Sequence, residues 1–142
     1  MILYCDTSAV VKLYLKETAS DIVVDAANRA DAVAIARIGW TEFHAATSRR
    51  EREVPADADA MERARQALRD DWPHFVKIDA TQPLVEQAGA LAEGFALRGY
   101  DAVHLAAARQ LAVDGGEDVL FACFDRQLNR AAGLLGMSLL AS

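Results

Sequence analysis

Ile2-Leu3-Tyr4-Cys5-Asp6-Thr7-Ser8-Ala9-Val10-Val11-Lys12-Leu13-Tyr14 is the stretch on which the reading of the fold turns. A short apolar run stops at an acid, and beyond that acid the apolar residues return at helical spacing. Such a run, closed by a polar turn, reads as a buried strand. Thr7 or Ser8 offers a cap for the helix that follows, which runs on to Leu15. Strand, acid and helix in direct succession point to an α/β fold. They also put Asp6 at the carboxyl end of a strand, where parallel sheets bind ligands.

The alternation continues along the chain. The pattern predicts a second helix over 18–28 and a strand at Ala32-Val33-Ala34-Ile35-Ala36. A helix over 38–52 follows, with Trp40 and Phe43 on its apolar side. Pro55 interrupts, and 58–70 forms an amphipathic helix with Met61, Ala64 and Leu68 on one stripe, closed by Pro73. The third strand is read at 75–79, a long Ala-rich helix over 84–97, and a break at Gly99. Asp101 opens a helix to Val113 that is apolar nearly all round and therefore expected to be buried. Gly115-Gly116 closes it; a strand at 118–124, a short helix at 127–132 and a terminal strand at 137–140 complete the chain. Strands alternating with helices predict a three-layer α/β sandwich around a mainly parallel sheet of about five strands.

A chain of 142 residues suits one domain, expected to span 1–142. At that size roughly 68–70% of the unfolded surface is buried, enough for a core without staples. Hydrophobic residues at 53% and charged residues at 25% mark a globular balance. No apolar run of about 18 residues appears and the start lacks a basic leader, so a cytoplasmic protein without a membrane span is expected. Cys5 and Cys123 each lie in apolar runs and read as reduced, buried thiols. The net charge of −6 speaks against an undirected nucleic-acid binder, but not against a nuclease whose acids hold a cation. It also suits a basic protein partner.

Four acids stand out: Asp6 after the first strand, Asp125 after the fourth, Asp101 at the start of the buried helix, and Glu42 early in the third helix. A parallel sheet can bring them to one edge. Two carboxylates at about 5 Å repel by roughly 3 kcal/mol at an effective dielectric of 20, so a cluster calls for a cation or raised pKa values. Oxygen-only ligands select Mg²⁺ or Mn²⁺, which can activate water and stabilise charge on a phosphate. Each acid also has an ordinary reading: Asp6 and Asp101 as helix caps, Glu42 as a solvated helix residue, Asp125 as a turn residue.

The surrounding text decides between these readings. Asp6-Thr7-Ser8-Ala9-Val10-Val11-Lys12-Leu13-Tyr14 resembles the opening of VapC-type PIN domains. Leu97-Arg98-Gly99-Tyr100-Asp101-Ala102-Val103-His104-Leu105-Ala106-Ala107-Ala108 resembles their third-acid motif. Phe124-Asp125-Arg126-Gln127-Leu128, with Ala131-Ala132, resembles the segment around the fourth acid, and Glu42 falls where the second would. The resemblance runs from Ile2 to Leu140. One departure is Cys123, where the family often has Ser or Thr; a thiol is the poorer hydrogen-bond partner. The resemblance implies a PIN fold and a Mg²⁺- or Mn²⁺-dependent endoribonuclease, the toxin of a homodimer paired with a VapB-like antitoxin. Asp6, Asp101 and Asp125 would hold the metal, and Glu42 would complete the shell or take a proton from the attacking water. Cleavage by this route leaves 5′-phosphate and 3′-hydroxyl ends.

Other readings are weaker. A haloacid-dehalogenase-type phosphatase wants an acid at position 8, where Ser8 stands, and a receiver domain wants an acidic neighbour for Asp6. A PIN nuclease of RNA processing, or an inactive PIN binding module, remains open as an alternative; the second is expected to lack an acid. Ser8, Lys12 and Lys16 form one stripe if the first helix stays regular, a candidate phosphate path or a solvated edge. Arg49, with Arg50 and Arg52, lies beyond Glu42 and is a candidate RNA contact or a charged helix end. His104 reads as a partly buried structural residue before a ligand. Tyr14, Trp40, Phe43 and Phe95 read as core or dimer contacts.

Overall fold

The computed structural model describes residues 1–141. Five parallel strands form one sheet: β1 (Ile2–Cys5), β2 (Ala32–Ala36), β3 (Val76–Ile78), β4 (Val119–Ala122) and β5 (Ser138–Leu139), in the order β3-β2-β1-β4-β5. The helices are α1 (Thr7–Tyr14), α2 (Ser20–Arg29), α3 (Gly39–Glu53), α4 (Ala58–Asp71), α5 (Gln82–Phe95), α6 (Gly99–Val113) and α7 (Arg126–Leu134). Pro55 and Pro73 each sit in a short 3₁₀ turn, flanking α4.

The three layers follow from the period of two along each strand. Leu3, Cys5, Ile35 and Ala122 face one side, where they pack on Val10, Val23, Phe43 and Leu68 of α1 to α4. Tyr4, Ala34, Ala36, Phe121 and Cys123 face the other, against Leu84, Leu105 and Leu128 of α5 to α7. Both faces are therefore covered, as a parallel sheet requires. Cys5 and Cys123 are free, buried, and on opposite faces.

Strand order reverses beside β1. The chain lays down β1, β2 and β3 outward in one direction, crosses back, and adds β4 and β5 on the other side. The carboxyl ends of β1 and β4, paired in register from Ile2 with Val119 to Cys5 with Ala122, thus flank the switch point where open α/β sheets bind ligands.

The expected fold stands, and the sheet is wholly parallel. Differences lie at element ends. Gly99 does not break the chain but opens α6; the reversal falls at Ala96, which adopts the left-handed conformation at φ 56°. The turn is clamped from outside, since the Gln127 amide donates to the Ala96 carbonyl at 2.7 Å. α1 stops at Tyr14, so Lys16 lies off the stripe predicted for Ser8 and Lys12. Gly39 starts α3 so close to β2 that a Cβ there would meet the end of the Ile35 side chain at 2.8 Å, and a larger residue would require Ile35 to shift.

Candidate active site

Asp6 both caps a helix and faces the switch point. It is only 5% exposed, and its Oδ1 accepts from the Ala9 amide at 3.0 Å and the Ser8 hydroxyl at 2.6 Å. The Ser8 oxygen also accepts from the Phe124 amide, tying α1 to the end of β4. Burial raises the Asp6 carboxyl above the usual carboxylate range; Ser8, His104, the Ala9 amide and Cys123 oppose the shift without cancelling it.

Glu42 is held by two donors on a single oxygen. Its Oε1 accepts from Thr7 Oγ1 at 2.8 Å and from His104 Nε2 at 2.7 Å. His104 is 1% exposed, and its Nδ1 lies 2.8 Å from the hydroxyl of the fully buried Tyr4. An ionised Glu42 only accepts, so Nε2 carries a proton; Nδ1 accepts from Tyr4 when the ring is neutral and donates to the Tyr4 oxygen when it is charged. Partial burial pushes the Glu42 carboxyl up, but the His104 bond and charge and the Thr7 bond outweigh it, and the net shift is downward. A line of hydrogen bonds thus runs from the core through Tyr4 and His104 to Glu42, and through Thr7 to the neighbour of Asp6. Both nitrogens of His104 are committed to it, the structural role expected for that residue.

The other two acids share an arginine. Asp101, in the first turn of α6, accepts from Arg98 Nε at 3.0 Å, and Asp125 lies 3.7 Å from the same guanidinium. Asp125 is the N-cap of α7, its Oδ2 accepting from the Leu128 amide at 2.8 Å. Cys123 takes a hydroxyl's place in this turn, because its Sγ accepts from the Asp125 amide at 3.3 Å. Burial, reinforced by the Asp6 charge, pushes that thiol well above its ordinary range, so it stays protonated.

The four acids are thus linked two by two, Asp6 with Glu42 through Thr7 and Asp101 with Asp125 through Arg98. Among the described residues no three His, Cys, Asp or Glu side chains converge tightly enough to hold one ion. The donor set is nonetheless all carboxylate oxygen, which fits a hard divalent cation. The Arg98 charge already sits between two of the donors.

Arg98 and Tyr4 were not singled out from the sequence, and Thr7 was read only as a helix cap, a place that Asp6 takes. Arg98 stands three residues before Asp101, a spacing that signals a helical pair. Tyr4 gives no signal, since it reads as one more apolar strand residue. Among the basic candidates, Lys12 pairs with Glu17 at 2.8 Å and lies over the Phe124 ring. Arg50 pairs with Asp57 and Arg52 bonds Ser48, whereas Arg49 lines an open groove beside Glu42. Phe43 is buried in the core on one face of the sheet, Phe95 packs on the core of the other face, Tyr14 bonds Asp71, and Trp40 packs against His44 and Trp72.

Comparison with known proteins meets this geometry at residues 3–134, which match the PIN domain model. The chain belongs to the PIN-domain family. It is 34% identical over 135 residues to Ribonuclease VapC49 of Mycobacterium tuberculosis (strain H37Rv), covering 95% of this chain and 92% of that one. Ribonuclease VapC46 of the same strain is 34% identical over 141 residues, covering 98% and 96%. In structure, this PIN domain is similar to VapBC2 from Rickettsia felis bound to a DNA fragment from their promoter. The TM-score is 0.64 at 13% identity, with 100% of this chain and 99% of that chain covered, a likeness of fold. No helix among the described residues is long and apolar enough to cross a membrane.

Proposed function

We propose that this chain is a single PIN domain acting in the cytoplasm as a metal-dependent endoribonuclease, the toxin of a pair completed by a VapB-like antitoxin. What supports the reading is that Asp6 and Asp125 follow the paired strands β1 and β4, that Asp125 shares Arg98 with Asp101, and that Glu42 is bonded to Thr7, the residue after Asp6. Sequence relatives named Ribonuclease VapC along almost the whole chain support it, as does the fold shared with a VapBC assembly. The active form is a homodimer.

Asp6, Asp101 and Asp125 would hold the cation, Mg²⁺ or Mn²⁺, with Glu42 beside them, once Arg98 had withdrawn from Asp101 and Asp125. Such an ion would supply charge neutralisation at the scissile phosphate and a more acidic water. Ser8 orients Asp6 through the short bond to Oδ1. Glu42, fixed through Oε1 by His104 and Thr7, keeps Oε2 to take the proton of the attacking water. Arg98 leaves the carboxylates and turns to the phosphate, which its exposed and flexible side chain permits. Attack in line leaves a 5′-phosphate and a 3′-hydroxyl.

The test is cleavage of mixed tRNA and rRNA by purified protein in Mg²⁺, in EDTA, and with Asp6→Asn. Cutting that requires the ion and vanishes in the variant is expected. Cyclic 2′,3′-phosphate ends, or cutting that persists in EDTA, overturn the mechanism.

A further inference from the structure

Glu42, Ala45, Ala46 and Arg49 follow one another on α3 at steps of three, one and three, which puts them on one helix face. That face, with Thr7 at one end and Tyr100 on α6, lines an open groove of about 520 Å³. The groove touches the proposed site directly, because Thr7 and Glu42 belong to both.

Three features give it a chemical character. Arg49 has no carboxylate partner among the described residues, although neighbouring Arg50 is paired with Asp57 and Arg52 is bonded to Ser48. Tyr100, immediately before Asp101 in the first turn of α6, is 64% exposed. The two alanines leave a flat apolar floor between them. A cation at one end, an exposed ring on the wall and a shallow apolar floor are what an unstacked nucleotide needs. Single-stranded RNA is bound by base stacking on aromatic rings and by charge on its phosphates. Arg49 stands two helical turns, about 10 Å along the axis, from Glu42, and its long side chain brings the guanidinium within reach of a phosphate next to the reacting one.

We propose that this groove is the subsite for the RNA nucleotide adjoining the scissile phosphate, with its base on the Tyr100 ring and its far phosphate on Arg49. The proposal rests on the ribonuclease reading and adds where the substrate lies. Sequence preference at that nucleotide is then set by stacking and by the room above Ala45 and Ala46, with Thr41 at the edge.

The experiment uses the full chain carrying Asp6→Asn to prevent cutting, with a short fluorescent single-stranded RNA of mixed sequence read by anisotropy. Tyr100→Ala and Arg49→Ala in that background are expected to weaken binding roughly 5- to 100-fold, the range for loss of one stacked base or one phosphate contact. Tyr100→Phe keeps the ring and is expected to restore the affinity. Ala46→Trp, which fills the floor, weakens binding as Tyr100→Ala does. With Asp6 intact, Tyr100→Ala raises KM for RNA cleavage and leaves kcat nearly unchanged. Unaltered anisotropy in Tyr100→Ala with an unchanged melting temperature overturns the subsite, as does a Tyr100→Phe variant that binds as weakly as Tyr100→Ala. Conversion of a dimer to a monomer by Ala46→Trp, with RNA affinity unmoved, overturns it in favour of a contact between two copies. If the parent protein cuts RNA while Tyr100→Ala changes nothing, only the subsite falls. If the parent neither cuts nor binds RNA, the ribonuclease reading falls with it.

Discussion

The two halves of the carboxylate edge are built in opposite ways. Asp6 and Glu42 are fixed from beneath by Ser8, Thr7 and the buried pair His104 and Tyr4, so their rotamers are set by the core itself. Asp101 and Asp125 look outward to Arg98, whose side chain is 81% exposed. Buried polar networks hold geometry because each lost bond leaves an unsatisfied group. An exposed ion pair is screened and contributes about 0–1 kcal/mol. One half of the site is thus preorganised, and the other yields to a ligand at little cost.

The sharpest way to break this comparison is at Asp6. Asp6→Asn should cut RNA cleavage by at least about a hundredfold, yet raise the melting temperature of the metal-free protein at neutral pH. The sign follows from the raised carboxyl. A folded pKa above the unfolded value gives a contribution that is fully present below the unfolded pKa and lost as pH rises through the folded one. At neutral pH the buried charge is therefore a cost, and Asn removes it while still able to cap α1. A melting temperature that falls in the variant would contradict that account of Asp6.

The next largest effect belongs to His104. His104→Ala strips partners from Tyr4 and Glu42 and opens a gap, which should cost about 2–4 kcal/mol in urea unfolding. Cleavage should fall as well, through kcat more than KM, because Glu42 loses its orientation. Tyr4→Phe removes one hydroxyl and leaves Nδ1 unpaired, for about 1–2 kcal/mol. If both variants unfold like the parent, the buried half is not preorganised.

Arg98→Ala probes the exposed half. It should change stability by less than about 1 kcal/mol. The Mg²⁺ concentration for half-maximal cleavage should fall, since Asp101 and Asp125 lose a competing cation, and kcat should fall where the arginine serves the phosphate. A large loss of stability would show this half to be as rigid as the other. The smallest effect is expected for Cys123→Ser, whose hydroxyl can accept from the Asp125 amide as the sulfur does; cleavage close to the parent's would show that the departure at Cys123 is conservative in role.

Much of this was legible from local pattern. Asp6 and Asp125 were readable as strand-end residues because a buried strand and the helix cap after it are written within a few positions. α6 was readable as a buried helix from its run of Ala, Val and Leu, and Phe43 as core from its spacing with Trp40. The misplaced break at Gly99 has a physical cause as well. Glycine is the usual residue for a left-handed turn, but here Ala96 adopts it, helped by the Gln127 clamp, so local propensity pointed three residues too late.

By itself, the sequence determined the alternation of strands and helices, hence the parallel sheet, and the caps that seat two acids at strand ends. These depend on periods of two and about 3.6 residues and on cap chemistry, all short-range. Only the tertiary structure decided which groups those acids meet. Glu42 finds His104 across 62 positions and His104 finds Tyr4 across 100, pairings made by the packing of α3 and α6 on the sheet. The same holds for the basic residues: Arg49, Arg50 and Arg52 are alike in the sequence, and only folding gave Arg50 and Arg52 partners while turning Arg49 toward the groove.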